Sequence, residues 1–313
     1  MRDSGRSLHT VLHPEAIAHI VDDAFGPGPI TTCRLHRTYV NEVYRLETPG
    51  GMFAVKVARR GWRSMADAVR EATVLQHLQR AGIVVPAVVP ALDGRPAVPV
   101  ETPEGERALS VQSWLPGAKP TSSFDRHRVG GAVARLHDCL ADLSPTRDDR
   151  RWDLQTLVEQ PLATIARVAN ADQMQIVRDA RTFVASTVAQ WGADAGITYC
   201  HGDATLDNLI VDGDEIGVFD FDLAGWSWRV FDLVSLAGWS LLEPEAARGH
   251  WTAFRDGYAA VSPLTEADAR MLPALIVAHA LWDIAHDICC SAAWFGDWRC
   301  PGDDRYNALA TLC

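Results

Sequence analysis

The sequence predicts an α+β fold in two parts: a small five-stranded antiparallel N-terminal lobe with one main helix, and a larger, mostly helical C-terminal lobe. Strand-like alternation of β-branched and aromatic residues, bounded by Gly and Pro turns, dominates the first third of the chain. Helical spacing of apolar residues dominates the rest. Leu115-Pro116-Gly117 breaks the last strand, so we expect an N-terminal domain over residues 1–115 and a C-terminal domain over 116–313.

The composition is that of an ordinary globular protein, with 313 residues, 48% of them hydrophobic and 22% charged. A net charge of −11 argues against a nucleic-acid-binding protein and is compatible with a cationic ligand. The polar N-terminus and the lack of a run of about 18 apolar residues predict neither a signal peptide nor a membrane span. Seven scattered cysteines without CxxC spacing fit reduced thiols, so we expect a cytoplasmic protein.

The N-terminal lobe places a lysine in a strand ahead of a helix that carries a glutamate. Lys56 lies in a predicted strand over 52–58 among small and apolar residues, where a buried ammonium needs an anionic partner. Glu71, beside the apolar side of a predicted helix over 65–81, is the best candidate for that partner. The alternatives are that Lys56 extends to water from an edge strand and that Glu71 is a solvated helix charge. The other predicted elements are a helix over 8–24 and strands over 30–37, 42–47, 84–92, 96–100 and 108–115.

Residues 201–222 have the residue types of a phosphoryl-transfer centre. They contain the run His-Gly-Asp-Ala-Thr-Leu-Asp-Asn and two short apolar strands joined by a turn at Asp212–Glu215. If those strands pair as a hairpin, Asn208 and Asp220 come to the same end, where two oxygen ligands suit Mg²⁺ in a nucleotide site. Asp203 then remains as a carboxylate base. Taken singly, each residue would be an ordinary turn residue, and the combination favours the metal site.

This stretch resembles the H-G-D-x-x-x-x-N loop and the following I-D-[FW] strand of the aminoglycoside phosphotransferase/choline kinase-like family. The resemblance implies a bilobal, protein-kinase-like fold and ATP- and Mg²⁺-dependent transfer of the γ-phosphate to a hydroxyl group. It implies that Lys56 neutralises the α/β-phosphates and that Glu71 holds Lys56 in place. Asn208 and Asp220 would bind the metal, and Asp203 would accept the proton of the hydroxyl group. The cleft between the two lobes is then the expected site.

The resemblance also implies the remaining nucleotide contacts. Backbone groups around Ser113, Trp114 and Leu115 would hydrogen-bond the adenine ring. The turn between the first two strands lacks the Gly-x-Gly-x-x-Gly of protein kinases. It has Asn41, followed by Tyr44, as members of the family often do, so small polar side chains and backbone N–H groups would have to cover the phosphates.

Several residues near the predicted centre are expected to support it rather than react. His201 is expected to buttress the loop, and Gly202 to give the backbone the freedom that a tight loop needs. The resemblance implies that Asp232 ties its helix to the loop, whereas Asp222 fits a metal-site role and a structural role equally well. The predicted helices of the C-terminal lobe cover residues 125–143, 155–168, 172–191, 230–242, 244–260 and 265–290, and a last short helix follows 304.

The acceptor is expected to be a small hydroxylated molecule, such as an aminoglycoside or other antibiotic, an amino alcohol or a hydroxy-amino acid. Trp294 and Trp298 are interleaved with Asp297, Asp303 and Asp304. Aromatic faces and carboxylates of this kind suit a cationic or sugar-like acceptor.

Two alternative functions are also compatible with a nucleotide site of this kind. One is a Ser/Thr kinase that acts on a protein or a biosynthetic precursor peptide, although no activation segment ending in Ala-Pro-Glu is present. The other is a nucleotide-binding pseudokinase, which is disfavoured because Lys56, Asp203, Asn208 and Asp220 occur together. The sequence leaves the oligomeric state open.

Overall fold

The N-terminal part of the chain folds around an antiparallel sheet. The computed structural model divides into two units, Met1–Gly117 and Ala118–Cys313. The structure describes residues 7–121, 123–237, 245–290 and 301–312. The elements of the first unit are α1 (Pro14–Phe25), β1 (Thr32–Thr38), β2 (Asn41–Thr48), β3 (Gly51–Ala58), α2 (Met65–Arg80), β4 (Val88–Val89), β5 (Ala97–Thr102) and β6 (Gly105–Ser113).

The sheet has the strand order β1-β2-β3-β6-β4, with β5 also paired to β6. Side chains alternate between its two faces. Val55 and Val57 of β3 are buried in one apolar cluster with Ile17 and Val21 of α1. Lys56, between the two valines, therefore projects to the opposite face, where it meets α2.

The predicted α+β class is confirmed, with two differences in this unit. The sheet has six strands where a five-stranded sheet was predicted, because both short predicted pieces, 84–92 and 96–100, pair with β6, as β4 and β5. The first helix begins at Pro14 rather than near residue 8. The chain ahead of it hydrogen-bonds to the sheet: the N–H of Leu12 donates to Glu42 at 3.0 Å, and proline is favoured at the first helical position.

The second unit is mostly helical. A helix predicted over 155–168 is instead a π-helical turn, Gln155–Glu159, followed by a short helix, because Pro161 has no N–H to continue a regular ladder. The elements are α3 (Ser123–Leu140), α4 (Gln160–Ile165), α5 (Ala171–Trp191), β7 (Ile197–Cys200), β8 (Leu209–Asp212), β9 (Glu215–Val218), β10 (Gly225–Trp228), α6 (Val230–Ala237), α7 (Glu245–Ala259), α8 (Glu266–Cys290) and α9 (Asp303–Leu312). Strands β7 and β10 form one antiparallel pair, and β8 and β9 form another.

Helices α3 and α7 cross at very short range. A Cβ atom on Gly130 would lie 2.0 Å from the carbonyl oxygen of Phe254, and one on Gly257 would lie 1.9 Å from that of His127. Neither glycine could carry a side chain without separating the helices. This close crossing brings Tyr258 of α7 to His137 of α3, which contacts the residues of the candidate site.

Among the described residues, α8 is long and apolar enough to cross a membrane by length and composition. Half of its most apolar 18-residue window is buried within the structure. It packs against α4, α5 and α6, and its side chains at Met271, Leu275 and Leu281 are almost fully buried. This is the packing of a core helix, which passes the same test of length and composition.

Candidate active site

The predicted hairpin is present and brings Asn208 and Asp220 to one end. Leu209 of β8 pairs with Val218 of β9, and the N–H of Phe219 donates to the carbonyl of Asn208 at 3.1 Å. The two residues therefore flank the same end of an antiparallel pair, as their spacing predicted.

Asp203 and Asn208 are hydrogen-bonded to each other. The Asn208 amide nitrogen donates to the backbone carbonyl and to the carboxylate of Asp203, both at 2.9 Å. Burial raises the pKa of Asp203 to about 6, and the negative charge of Asp220 acts in the same direction, while the hydrogen bond from Asn208 opposes them. Asp203 is thus a carboxylate that a neutral solution keeps ionised but that binds a proton more readily than an exposed aspartate.

Asp220 has a left-handed backbone, with φ 67° and ψ 62°. It is the sole non-glycine residue with positive φ in the described part of the chain. Strained backbone conformations of this kind cluster at functional sites. Strand β9 ends at Val218, two residues before Asp220, and Phe221–Leu223 form a 3₁₀ turn after it. Asp222 is therefore not on an extension of the strand; its side chain is largely buried and its carbonyl accepts a bond from Arg150 at 3.1 Å.

The turn ahead of Asp203 is tightly packed. Gly202 has φ +83°, and a Cβ atom there would lie 2.1 Å from the carbonyl oxygen of Leu223. His201 is fully buried, and its Nδ1 accepts the N–H of Asp203 at 3.2 Å. Its Nε2 then carries the proton and donates to the carbonyl of Phe219 at 2.9 Å. The predicted buttressing role of His201 and the need for glycine at 202 are confirmed.

Asp232, at the start of α6, ties this turn to the helix, as predicted. Its two carboxylate oxygens accept the backbone N–H groups of His201 at 2.6 Å and Gly202 at 2.7 Å. His137 Nε2 lies 2.8 Å from the same carboxylate, and the Tyr258 hydroxyl lies 2.9 Å from His137 Nδ1. Burial opposes ionisation of Asp232, but the bonds from His137 and Gly202 outweigh it and keep its pKa below the usual range. His137 was not predicted, because its one signal in the sequence is its place on the apolar stripe of α3.

In the first unit, Lys56 and Glu71 form the predicted pair, so the two solvated alternatives are wrong. Lys56 Nζ lies 3.0 Å from Glu71 Oε1, and both side chains are buried. Arg63 Nη1 lies 2.8 Å from the other carboxylate oxygen, and the Gln112 amide donates to Oε1 at 3.1 Å. Arg63 was missed because its partner lies eight residues away along the chain, beyond the reach of a helix-spacing rule.

The other predicted nucleotide contacts lie in the sheet of this unit. Asn41 is 5% exposed at the start of β2, and its carbonyl accepts the N–H of Tyr39 at 3.0 Å. The N–H of Ser113 donates to Ala87 at 2.8 Å, and that of Trp114 donates to Met52 at 2.9 Å. Both N–H groups therefore already donate to backbone carbonyls of this unit. The contact of this segment with adenine stays a prediction, for which the N–H of Leu115 and the backbone carbonyl oxygens are the candidate groups. Tyr44, the aromatic residue that follows Asn41 in the motif, is fully buried, and its hydroxyl lies 2.6 Å from Glu42.

Three residues of the predicted acceptor surface, Trp294, Asp297 and Trp298, lie outside the residues that the structure describes. Of its remaining members, Asp303 accepts a hydrogen bond from Gln173 at 2.8 Å and lies with Asp304 in the first turn of α9, exposed.

A different polar row occurs on α8, at His279, Trp282 and Asp283, all partly exposed. His279 Nδ1 lies 3.4 Å from Asp283 Oδ2, and the His279 ring packs 5.9 Å from that of Phe231. Burial opposes ionisation of Asp283, but the charge and hydrogen bond of His279 outweigh it and keep the pKa of Asp283 below its usual range. His279 also acts electrostatically on Asp203, whose pKa it lowers. The sequence signal for this row is a histidine and an aspartate four residues apart on a predicted helix.

The donor set around Asp203 fits a divalent cation. Asp220 offers a carboxylate and Asn208 an amide oxygen, which are hard ligands of the kind Mg²⁺ prefers. Since the Asn208 amide nitrogen is committed to Asp203, its oxygen is the atom left to meet a cation. The repulsion between Asp203 and Asp220 marks negative charge that a cation would offset.

Comparisons with known proteins show which family this chain is similar to. The family model described as the phosphotransferase enzyme family matches residues 31–264. An uncharacterized protein of Deinococcus radiodurans is 32% identical over 295 residues, which cover 88% of this chain and 82% of the relative. A homoserine kinase of Granulibacter bethesdensis is 29% identical over 220 residues, covering 66% and 65%.

Two solved structures are similar over nearly the whole chain. An amicoumacin kinase in complex with AMP-PNP and Ca²⁺ has a TM-score of 0.74 at 19% identity, covering 95% of this chain and 91% of that one. A microcompartment-associated aminopropanol kinase has a TM-score of 0.74 at 22% identity, covering 96% and 92%. At these identities the likeness shows the fold, and it confirms the predicted kinase-like fold.

Proposed function

We propose an acceptor and a donor for this protein, which belongs to the phosphotransferase enzyme family. Membership makes it a kinase, an enzyme that transfers a phosphoryl group to an alcohol. We propose that the donor is ATP with Mg²⁺ and that the acceptor is a small molecule carrying both a hydroxyl and an amino group. The observation that carries the proposal is Asp203, a carboxylate of raised pKa bound to Asn208 and repelled by Asp220.

The first part of the proposal concerns the donor. Lys56 would pair with the α/β-phosphates, and Glu71 would hold its ammonium in place. Asn208 and Asp220 would hold the cation. When bound, Mg²⁺ would offset the charge of the β- and γ-phosphates. Support for ATP comes from the fold shared with a kinase that was captured with AMP-PNP.

The second part concerns the reacting hydroxyl. Asp203 would accept its proton as the oxygen attacks the γ-phosphorus and the bond from that phosphorus to the β,γ-bridging oxygen breaks, with ADP as the leaving group. Its burial and its neighbour Asp220 favour proton uptake, while the Asn208 amide fixes the direction in which the carboxylate points. His201, Gly202 and their bonds to the rest of the unit keep the backbone of Asp203 in one position.

The third part concerns the amino group. A homoserine kinase and an aminopropanol kinase are among the similar proteins, and both named acceptors carry a hydroxyl and an amine. Asp283 of α8 would supply the carboxylate, whose pKa the neighbouring His279 keeps below its usual range, and Trp282 beside it in the chain would supply an aromatic ring. A carboxylate beside an aromatic ring is suited to bind an ammonium group.

The test is a transfer assay with ATP and Mg²⁺, followed by ³¹P NMR and mass spectrometry. Acceptors are used in matched pairs, such as 1-amino-2-propanol against 1,2-propanediol and L-homoserine against 4-hydroxybutyrate, together with an aminoglycoside and a Ser/Thr peptide. We expect the amine-bearing member of a pair to react at least about 10-fold faster. Asp203→Asn serves as the matched inactive protein.

Three outcomes would contradict parts of the proposal. Equal rates within each pair would remove the amine from it. Transfer to the peptide alone would replace the small acceptor with a protein or precursor peptide. Transfer that persists in Asp203→Asn would remove the base assignment.

A further inference from the structure

We infer that Arg63 is a positioning residue of the nucleotide site, which acts through Glu71 to orient Lys56. The inference rests on the proposed role of Lys56 at the nucleotide phosphates, and it adds a residue that the Lys-Glu pair alone does not include.

The Glu71 carboxylate is held from both sides. Its Oε1 accepts from Lys56 Nζ at 3.0 Å and from the Gln112 amide at 3.1 Å. Its Oε2 accepts from Arg63 Nη1 at 2.8 Å. Lys56, Arg63 and Glu71 are 7%, 8% and 4% exposed, so water competes little for these bonds. Rotation of the carboxylate away from Lys56 would therefore break a buried, charge-assisted bond to Arg63.

Arg63 is itself fixed to the first turn of α2. Its Nη2 donates to the carbonyl of Asp67 at 3.1 Å. Ser64, the N-cap of the helix, and Asp67 form a reciprocal capping box. The guanidinium thus spans one helical turn, from the Asp67 carbonyl to the Glu71 carboxylate, and ties the orientation of Glu71 to the start of its helix.

A planar guanidinium is required for this arrangement. Its two terminal nitrogens reach two acceptors at once in a fixed geometry, whereas the ammonium of lysine is a single flexible point charge. Lysine at position 63 would keep the charge near Glu71 but would not keep both bonds.

The variants that test the role are expected to fold. Arg63 lines a solvent-accessible cavity of about 460 Å³ together with Arg60 and Trp62. Shortening its side chain would enlarge a space that solvent already reaches rather than create a sealed void. Arg60 is exposed and packs over Gly105, so Arg60→Gln removes the same charge from the same cavity and is the matched control.

The experiment measures ATP·Mg²⁺ binding by calorimetry without acceptor, and then kcat and both KM values. We expect Arg63→Gln to weaken ATP binding on the order of 10-fold and to raise KM for ATP, with KM for the acceptor unchanged. Arg63→Lys should lie between Arg63→Gln and the wild type, and Arg60→Gln should match the wild type. In a Glu71→Gln background, Arg63→Gln should have little further effect, because the pathway through Glu71 is already broken.

The results separate this inference from the proposed function. A wild-type protein that binds no nucleotide contradicts the proposed function, and with it the premise used here. If the wild type binds ATP and Arg63→Gln binds it equally well, Arg63 is a structural residue, even where the melting temperature falls. Tighter binding in Arg63→Gln would show that Arg63 competes with Lys56 for Glu71 and would overturn the inference as well.

Discussion

The carboxylate of Asp232 accepts the backbone N–H of Gly202 at 2.7 Å, so a residue thirty positions along the chain fixes the turn ahead of Asp203. The same carboxylate accepts the N–H of His201, and both bonds are buried. An acidic side chain that satisfies two loop N–H groups fixes a backbone that has no regular secondary structure of its own. The position of Asp203 therefore depends on a helix that follows it in the chain.

Replacing Asp232 by alanine should destabilise the protein and lower turnover together. The change leaves two buried N–H groups and His137 without their acceptor, which costs about 3 kcal/mol or more of unfolding free energy. Urea denaturation monitored by Trp fluorescence measures it. Asp207→Ala, in which a 69% exposed carboxylate of the same loop is removed, should change stability little. Equal stability of Asp232→Ala and wild type would refute the prediction.

Gly202→Ala should lower turnover about 100-fold or more and destabilise the protein. The new Cβ would lie 2.1 Å from the carbonyl oxygen of Leu223 at a positive φ, so the backbone of the turn must move and carry Asp203 with it. Gly213→Ala is the control: its φ is +56° but no atom lies within 4 Å of the added Cβ. That control should lose about 1 kcal/mol of stability and keep its turnover, and similar losses of turnover in both variants would argue against the steric explanation.

Asp203→Ala should reduce turnover roughly 10²–10⁴-fold while ATP affinity stays nearly intact, because the side chain is proposed to act on the acceptor hydroxyl. Since burial raises the pKa of Asp203 to about 6, kcat/KM of the wild type should fall as the pH drops below about 6. Phosphoryl-transfer assays at pH 5 to 9 measure the turnover of Asp203→Ala and the pH dependence of the wild-type kcat/KM. A flat profile through pH 6 would be inconsistent with Asp203 as the base.

Asp203→Asn should stabilise the metal-free protein at neutral and higher pH. The folded-state pKa lies above that of an unfolded aspartate, so the folded protein binds the proton more tightly and loses stability as the pH rises from about 4 through 6. The amide removes this cost, for a gain of about 1–2 kcal/mol at pH 8 that disappears near pH 4. Urea unfolding with a chelator at both pH values checks it, and a variant less stable than wild type at pH 8 would contradict it.

Asp220→Ala should abolish the tightening of nucleotide binding by Mg²⁺. Asp220 is one of the two proposed metal ligands, at the exit of the hairpin. Calorimetric titrations of ATP with and without Mg²⁺ give the ratio of affinities. Asp214→Ala, an exposed carboxylate in the turn at the other end of the same hairpin, should leave the ratio unchanged. A normal Mg²⁺ effect in Asp220→Ala would remove the residue from the metal site.

Local pattern predicted those parts of the site that lie close together in the chain. The hairpin that aligns Asn208 with Asp220 follows from two short apolar runs around a turn, since such runs can pair in few ways. The pairing of Lys56 with Glu71 follows from a charged residue in a buried strand and a single glutamate on the next helix.

Other contacts could not be predicted, because they join residues whose separation in the chain says nothing about their distance in space. The Tyr258–His137–Asp232 network depends on the close crossing of α3 and α7, which brings together residues 121 and 95 positions apart. Strand β9 ends at Val218, and the left-handed backbone of Asp220 leads into a 3₁₀ turn that removes Asp222 from the expected face. Residue spacing in the sequence predicts neither the helix crossing nor the backbone conformation of Asp220.

By itself, the sequence determined the fold class, the hairpin and the residue types of a phosphoryl-transfer centre, because alternation, helical period and turn chemistry are local properties of the chain. Tertiary structure alone decided that Arg63 shares Glu71 with Lys56, that Asp232 fixes the turn at Gly202, and that the pKa of Asp203 is raised. Desolvation, charge repulsion and shared hydrogen bonds depend on what surrounds a group in space, and packing supplies those surroundings from distant parts of the chain.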